Sequence, residues 1–240
     1  MLILALDTTS EVGGVAIYRD AVRLALLPNE GEANQYAITL FELLERALAQ
    51  ARLSLRDIDL YAVANGPGSF TGIRVGLAAA RAWGKAFDRP VRGVSVLEAM
   101  VNRVHPAADG VFPILDARRG EFFLGCFRRN TTAAGAAGLN YEAADAGWIF
   151  KPAALGAFIE ERVAHGSSAT CIVRAHDQAA GGLRALLRDS LGWQQVEGVL
   201  LDSIAEIARN QEQSNAPRTE ASLDAYYLRR PDAEVKLMAG

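Results

Sequence analysis

Apolar residues along this chain occur in two patterns, short unbroken runs and longer stretches that repeat every three or four positions. Short runs that end in turn residues predict buried strands, and the longer repeat predicts amphipathic helices. In the first half, a three-stranded meander precedes alternating helices and strands. The predicted elements are strands at 2–6, 15–18 and 21–27, a helix at 34–51, a strand at 60–64, a helix at 71–87, a strand at 91–94 and a helix ending near 104.

The second half mixes the same two patterns and begins with a hairpin that has Gly120 in its turn. The predicted elements are strands at 111–116 and 121–127, a loop with a weak strand at 130–147, a helix at 152–163, a strand at 170–174, a helix at 182–191, a strand at 196–200, a helix at 203–210 and a last strand at 224–229. Such an order predicts an α/β layer fold with mixed sheets. We predict two domains, at 1–108 and 109–240. No sequence repeat is evident.

The stretch from 60 to 87 joins a short apolar strand, a glycine-rich turn and a helix of small residues. Gly66 and Gly68 permit backbone angles in the turn that other residues avoid. The hydroxyl of Ser69 or Thr71 is expected to cap the helix by accepting from an amide of the first turn. Four small residues fall four apart and therefore share one side of the helix. They are Gly72, Gly76, Ala80 and Gly84, here called the glycine stripe.

The glycine stripe requires an explanation, because each glycine inside a helix lowers helix stability by about 1 kcal/mol relative to alanine. A side without side chains lets another helix approach more closely than the usual ~8–10 Å between axes. We therefore predict that the stripe is a surface for a partner protein. On this hypothesis, Gly76→Leu disrupts dimerisation and leaves the fold intact.

A phosphate cradle is the alternative for the glycine turn, since a strand, a glycine turn and a helix often bind anions. A Walker loop requires Lys and then Ser or Thr after its last glycine, but Ile73 and Arg74 follow Gly72. The dinucleotide fingerprint requires a third glycine where Thr71 stands. The spacing therefore favours a structural turn.

Asp7, Thr8 and Thr9 follow the first predicted strand. A carboxylate at a strand end can hold hydrated magnesium while hydroxyls and amides face a phosphate. Alternatively, Asp7 accepts the backbone amides of its own turn. The residues alone favour the turn interpretation, because such turns are common.

Composition narrows the possible functions. The chain has 240 residues, half of them hydrophobic and 22% charged, which is ordinary for a globular protein with a core. A net charge of -3 gives no general attraction to nucleic acid or anionic lipid. Cys126 and Cys171 lie in strand-like runs, which favours buried free thiols in a reducing cytoplasm. The apolar run at 2–6 has no basic region before it, so we predict neither a signal peptide nor a membrane span.

No catalytic or metal-binding constellation emerges from the motifs. The histidines, which form no metal-binding pair, are His105, His165 and His176. There is no GxSxG elbow, and neither cysteine has a base beside it in sequence. Asp116 and Glu121 lie at the mouth of the second-half hairpin. We expect ion pairs there with Arg118 and Arg119, worth little if exposed.

Four motifs, in order along nearly the whole chain, resemble those of the TsaB family, formerly called YeaZ. They are LALDTT at 4–9, GPGSFTGIR at 66–74, DARRGE at 116–121 and YLR at 227–229. The second and third motifs are specific, and the other two are weaker alone. The resemblance implies an actin-like ATPase fold (ASKHA, ribonuclease H-like) with two lobes, each a mixed sheet with helices.

The resemblance further implies a cytoplasmic subunit without catalysis of its own. Its partner is TsaD, which transfers a threonylcarbamoyl group to the adenosine beside a tRNA anticodon, and the small ATPase TsaE joins the assembly. In this family the first two helices contact TsaD, and the same side can form a homodimer. Contact with tRNA is then made only through the complex, with no membrane involved.

Carried onto this sequence, the resemblance predicts an interface on the helices at 34–51 and 71–87. Its residues are Tyr36, Leu40, Leu43, Leu44, Gly72, Ile73, Gly76, Leu77, Ala80, Trp83 and Gly84. The sequence departs from the family at 34–36, where relatives often have histidine near the helix start. That departure concerns the side chains of the contact and not the helix pairing.

Asp7, Thr8 and Thr9 match the first phosphate loop of the actin-like fold, as a vestige that holds no cofactor or metal. Gly181-Gly182 matches the adenosine-binding glycines of that fold only by composition. Two alternatives remain open. One is an active ATP-dependent kinase or ATPase of the same fold, and the other is a peptidase, which no nucleophile–base set or metal pair supports.

Overall fold

The computed structural model describes residues 1–29, 36–104, 107–130, 141–163, 167–175, 177–214, 216 and 224. They form two units, one built from the described parts of 1–99 and 198–240 and the other from those of 100–197. This division differs from the predicted boundary after 108, because the last described helix returns to the first sheet. A linear reading of the chain does not reveal such a return.

The first unit contains the predicted meander and the helices and strands that alternate after it. Its strands are β1 (Leu2–Asp7), β2 (Gly14–Arg19), β3 (Val22–Pro28), β4 (Leu60–Gly66) and β5 (Val91–Ser95). Its helices are α1 (Tyr36–Ala51) and α2 (Phe70–Phe87), and α3 (Val96–Val104) spans the boundary between the units. The predicted start of α1 at 34 lies outside the described residues.

The first sheet has the order β3-β2-β1-β4-β5. The first three strands pair antiparallel, whereas β1, β4 and β5 run parallel. The central strand β1 is apolar along both faces because both faces are covered. Leu4 and Leu6 pack with residues of α1 and α2, and the alternate residues Ile3 and Ala5 face the opposite side.

The second unit starts with the predicted hairpin. Its elements are β6 (Gly110–Asp116), β7 (Phe122–Arg129), β8 (Tyr141–Phe150), α4 (Pro152–Arg162), β9 (Ala169–Arg174), α5 (Asp177–Arg184) and β10 (Gly192–Gln195). After it, α6 (Leu201–Gln213) belongs to the first unit, where it contacts β1, β2, β4 and β5.

The two units share one topology. The second sheet has the order β10-β9-β6-β7-β8, which read in reverse matches the first, with the same pattern of antiparallel and parallel pairs. The molecule therefore contains a structural duplication that the sequence does not show. Two such mixed sheets with helices form the actin-like ASKHA fold, which confirms the predicted fold class.

Two predicted elements of the second half differ in position, and a third is not described. The helix predicted at 182–191 is α5, which begins and ends earlier. The strand predicted at 196–200 lies earlier in the chain, as β10 at Gly192–Gln195, which pairs with β9. Val196 and Leu200 are buried without belonging to the strand, so burial and not strand pairing accounts for that apolar run. The strand predicted at 224–229 lies outside the described residues except for Asp224.

A buried arginine fastens α6 to the edge of the first sheet. Arg92 on β5 is only 3% exposed, and its Nε donates to the Glu212 carboxylate at 2.9 Å. Its terminal nitrogens donate to the carbonyl oxygens of Ala216 at 2.9 Å and Gln211 at 3.3 Å. The Gln211 carbonyl lies in the last turn of the helix, where backbone acceptors lack helical partners, and Ala216 follows the helix end. Arg92 therefore neutralises a carboxylate and also caps α6.

We expect Arg92→Met to lower the free energy of unfolding by about 3 kcal/mol, because Glu212 is left as a mostly buried charge without its cation. Chemical denaturation in urea measures this change. The matched control is Arg23→Met, which removes an exposed ion pair with Asp202 at 3.3 Å and should cost under about 1 kcal/mol. Equal losses in the two variants would contradict the role assigned to Arg92.

None of the described helices is long and apolar enough to cross a membrane.

Candidate functional site

The loop after β1 is closed by its own side chains. Asp7 Oδ1 accepts hydrogen bonds from the backbone N–H of Thr9 at 2.9 Å and from the Thr9 hydroxyl at 2.6 Å. Asp7, Thr8 and Thr9 are all buried. The structure thus shows the turn interaction that the residues alone favoured.

The glycine turn and the start of α2 lie directly against this loop. The Thr8 hydroxyl donates to the carbonyl oxygen of Gly72 at 2.7 Å, and the N–H of Ser69 donates to the carbonyl oxygen of Thr9 at 2.7 Å. Ser69 is also the cap of α2, since its Oγ accepts from the N–H of Gly72 at 3.3 Å. The two segments are therefore tied together by both backbone and side-chain bonds.

The glycine stripe faces this loop and the neighbouring strands, and not a partner protein. A Cβ at Gly72 would overlap the carbonyl oxygen of Thr8, and one at Gly76 would overlap the Thr8 hydroxyl. A Cβ at Gly84 would overlap Val91 of β5. Ala80 is also buried. The inference of close approach holds, but the approaching group belongs to the same chain, so the stripe is not a free surface and Gly76→Leu is not expected to leave the fold intact.

The other predicted interface residues are interior as well. Each of them is buried in the first unit: Tyr36, Leu40, Leu43, Leu44, Ile73, Leu77 and Trp83. The physical reason is that the apolar stripe of an amphipathic helix is the side that faces its own core. A partner surface on these helices must use the residues that lie outside these buried, core-facing sides.

The exposed side of α1 carries two large apolar side chains. Ile38 is 81% exposed and Phe41 is 57% exposed. Phe41 also lies edge-on to Trp83 of α2, with ring centroids 6.4 Å apart, so the two helices adjoin there. Phe41 lies three residues before the buried Leu44, a spacing that by itself favours a buried position. Ile38 is two residues from both Tyr36 and Leu40, which places it away from the buried side of the helix.

The exposed side of α2 is made of cationic and very small side chains. The exposed residues are Thr71, Arg74, Ala78, Arg81, Ala82, Lys85 and Ala86. The guanidinium of Arg74 lies over the ring of Phe70 at 3.7 Å from its centroid. We call the exposed residues Ile38, Phe41, Arg74, Ala78, Arg81 and Ala82 the α1–α2 face.

The hairpin between β6 and β7 occupies the place in the second unit that the Asp7 loop has in the first. Asp116 Oδ1 accepts from the N–H of Arg118 at 2.7 Å, two residues on, as Asp7 does with Thr9. Arg118 and Arg119 have φ of 61° and 58°, and both are exposed. The contact shown for Asp116 is thus a turn-closing bond to backbone.

Groups that often carry chemistry are buried or dispersed in the described part of the chain. Within that part, no group of three or more His, Cys, Asp or Glu residues has the geometry to hold a metal ion. Cys126 and Cys171 are free and buried, as predicted, and burial raises the pKa of the Cys171 thiol to about 12. Gly181 and Gly182 lie in α5, where an added Cβ would meet nothing, so they form no nucleotide-binding turn. The three histidines lie outside the described residues.

Residues 28–154, more than half of the chain, match a family model described as "TsaD: tRNA N6-adenosine threonylcarbamoyltransferase". The tRNA threonylcarbamoyladenosine biosynthesis protein TsaB of Escherichia coli (strain K12) is 32% identical over 135 residues, 54% of this chain and 56% of that protein. The protein of the same name from Bacillus subtilis (strain 168) is 30% identical over 128 residues, 53% of this chain and 56% of that protein. The chain belongs to the TsaB/YeaZ family.

The aligned part of this TsaB-family chain spans about half the length of the curated relatives it matches. A solved structure, YeaZ from Pseudomonas aeruginosa, covers 95% of this chain and 99% of its own, with a TM-score of 0.68 and 21% identity. At that identity the likeness shows the fold alone. It extends the shared architecture over both units, beyond the region matched in sequence.

Proposed function

We propose that this chain is a non-catalytic subunit that binds TsaD and supports threonylcarbamoyl transfer to the adenosine beside the tRNA anticodon. The names of its curated relatives support the pathway, and its family model supports a relation to TsaD. The structural observation that carries the proposal is the α1–α2 face. Two large apolar side chains stand exposed there, between the exposed carboxylates of Glu42 and Glu45 on α1 and the cationic and small residues of α2.

The α1–α2 face has the composition of a protein contact. Interfaces gain most of their affinity from a few large anchors that fit pockets in the partner, surrounded by a more polar rim. Ile38 and Phe41 supply the anchors, while Arg74 and Arg81 supply the rim. Ala78 and Ala82 allow a partner helix to approach closely. The same face serves a homodimer when TsaD is absent, because one exposed apolar surface can bury itself against a second copy.

The loop after β1 supports a subunit without catalysis. An active kinase or ATPase of this fold, the second candidate function, requires hydroxyls and amides that face a phosphate. Here the Thr8 hydroxyl donates to Gly72 and the Thr9 hydroxyl donates to Asp7. Asp7, Thr8 and Thr9 are all buried, so the polar groups of this loop connect β1 to the start of α2 within the fold. Within the proposal, the chain works in the cytoplasm and meets tRNA and TsaE through the TsaD complex.

A reconstituted transfer reaction tests the proposal. We expect purified TsaD, TsaE and tRNA to yield threonylcarbamoyladenosine in the presence of this chain, and the chain alone to yield none. Mass spectrometry of the digested tRNA measures the product. A reaction that proceeds equally well without this chain would contradict the proposal.

Calorimetric titration of the chain with ATP and magnesium distinguishes the enzyme alternative. We expect no binding at micromolar concentrations, because the hydroxyls of Thr8 and Thr9 are occupied by hydrogen bonds within the fold. Micromolar binding that Asp7→Asn abolishes would favour an ATP-dependent enzyme.

A further inference from the structure

The cationic side chains of α2 lie in one line. Arg74, Arg81 and Lys85 are all exposed, and positions seven and eleven residues apart return to within about 20° of the same direction around a helix. At roughly 1.5 Å per residue, the line is about 16 Å long. We call these three residues the cationic ridge. The sequence of α2, from Phe70 to Phe87, contains no acidic residue, so the charge of the ridge is not balanced on its own helix.

The cationic ridge does not stabilise the helix that carries it. Arg81 and Lys85 are four residues apart, and like charges at that spacing are destabilising. The exposed side of α1 differs, because Glu42 lies 3.9 Å from Arg46 at the same spacing and the two charges are opposite. Helix stability therefore accounts for this pair on α1 and does not account for the charges on α2.

The cationic ridge already accepts a carboxylate. A guanidinium nitrogen of Arg81 lies 3.4 Å from Asp224 Oδ1. The two side chains are 48% and 74% exposed, so water screens the pair and it contributes little to stability. A carboxylate of another protein can therefore replace Asp224 at little cost.

The apolar side chains beside the cationic ridge favour a protein over a nucleic acid as the source of the anions. Ile38 and Phe41 of α1 are both mostly exposed, and the Phe41 ring lies 6.4 Å from that of Trp83, two residues after Arg81. A phosphate backbone has no apolar surface to cover such side chains, whereas protein interfaces combine apolar anchors with a polar rim. The ligand of the ridge is therefore a carboxylate-bearing protein surface.

A second copy of the chain fits the cationic ridge less well than an acidic partner does. The carboxylates that its α1 offers are Glu42 and Glu45, and Glu42 lies close to Arg46 of the same helix. Its α2 brings three more cations and no acid. A better complement is a row of carboxylates about 16 Å long, with no cation among them.

We propose that the cationic ridge binds a row of carboxylates on TsaD and sets how fast the two proteins associate. This role rests on the proposed function, because it names the chemistry of the partner's side of that contact. The apolar anchors Ile38 and Phe41 hold the complex together, while the opposite charges steer the encounter. Charges at the rim of an interface act mainly on the association rate, and salt weakens their effect.

Association kinetics of the full chain with purified TsaD test the proposal. We expect the association rate constant to fall about fivefold or more between roughly 50 and 500 mM salt. Arg74→Gln with Lys85→Gln should lower that constant about fivefold at low salt, remove most of its salt dependence and change the dissociation rate less than about twofold. Glutamine forms helices about as well as arginine and lysine, so the fold should be unaffected. Biolayer interferometry measures both rate constants.

Arg128→Gln with Lys151→Gln is the matched control, since it removes one exposed arginine and one exposed lysine from the second unit. We expect the association rate and its salt dependence to stay unchanged. An equal fall in both double variants would show an effect of net charge alone and would overturn the proposal.

Three other results distinguish the cationic ridge from the TsaD contact as a whole. The same association rate and salt dependence in the unmodified chain and in the Arg74→Gln, Lys85→Gln variant would overturn the ridge and leave the proposed function intact. No binding of TsaD by the unmodified chain at any salt concentration would overturn the proposed function and the ridge with it. Binding of purified tRNA to the chain alone, lost in that variant, would identify phosphates as the ligand and would also overturn the proposal.

Discussion

Replacing Gly72 by alanine is expected to lower the free energy of unfolding by about 2–3 kcal/mol, although alanine is the better helix former. The added methyl group overlaps the backbone carbonyl oxygen of Thr8, which cannot move aside like the end of a flexible side chain. Either α2 or the Asp7 loop must shift, and the bonds between them lengthen. Urea denaturation of the purified variant measures the loss.

The control for this substitution lies in the second unit. Gly182 is also helical, but an added Cβ there meets nothing within 4 Å. Gly182→Ala should therefore stabilise the protein by about 0.5–1 kcal/mol, as expected for an exposed helical position. If Gly72→Ala also stabilised the protein, the close packing of α2 on the loop would be refuted.

Gly76→Leu should be more damaging than Gly72→Ala. Its side chain meets the Thr8 hydroxyl and the Val63 side chain at once. The expected result is failure to fold. A folded variant that has lost only its association would favour the surface that the sequence pattern predicted.

Phe41→Glu combined with Ile38→Glu is expected to weaken TsaD binding by about 100-fold or more. Both side chains are mostly exposed, so the substitutions remove apolar anchors without opening a cavity in the core. The thermal midpoint of unfolding should therefore stay within a few degrees of its original value. Calorimetry with purified TsaD measures the affinity, and circular dichroism measures the thermal midpoint.

Leu186→Glu provides a matched control for the partner surface. Leu186 is also a large exposed apolar side chain, but it lies in the second unit after α5. We expect TsaD affinity to be unchanged in this variant. Equal losses in both variants would indicate a nonspecific effect of added charge, and undiminished binding by the Phe41→Glu and Ile38→Glu variant would place the TsaD contact elsewhere.

Local patterns determined much of the first unit without any knowledge of its packing. The apolar runs predicted the strands of the meander, and Ser69 was one of two residues predicted to cap α2. Both features depend on interactions within a few residues, such as alternation along a strand or a hydroxyl that reaches the first turn. The turn at Asp7 was predicted for the same reason, since its bonds reach only two residues ahead.

Tertiary contacts decided what each of these elements faces. A glycine stripe indicates that something approaches closely, but it does not tell whether the neighbour is Thr8 of the same chain or another protein. The return of α6 to the first sheet and its attachment by Arg92 join residues 120 apart in sequence, a distance over which periodicity carries no information. The duplicated topology is likewise a property of strand pairing. It depends on which strand edges pair, and the order of the residues does not determine that.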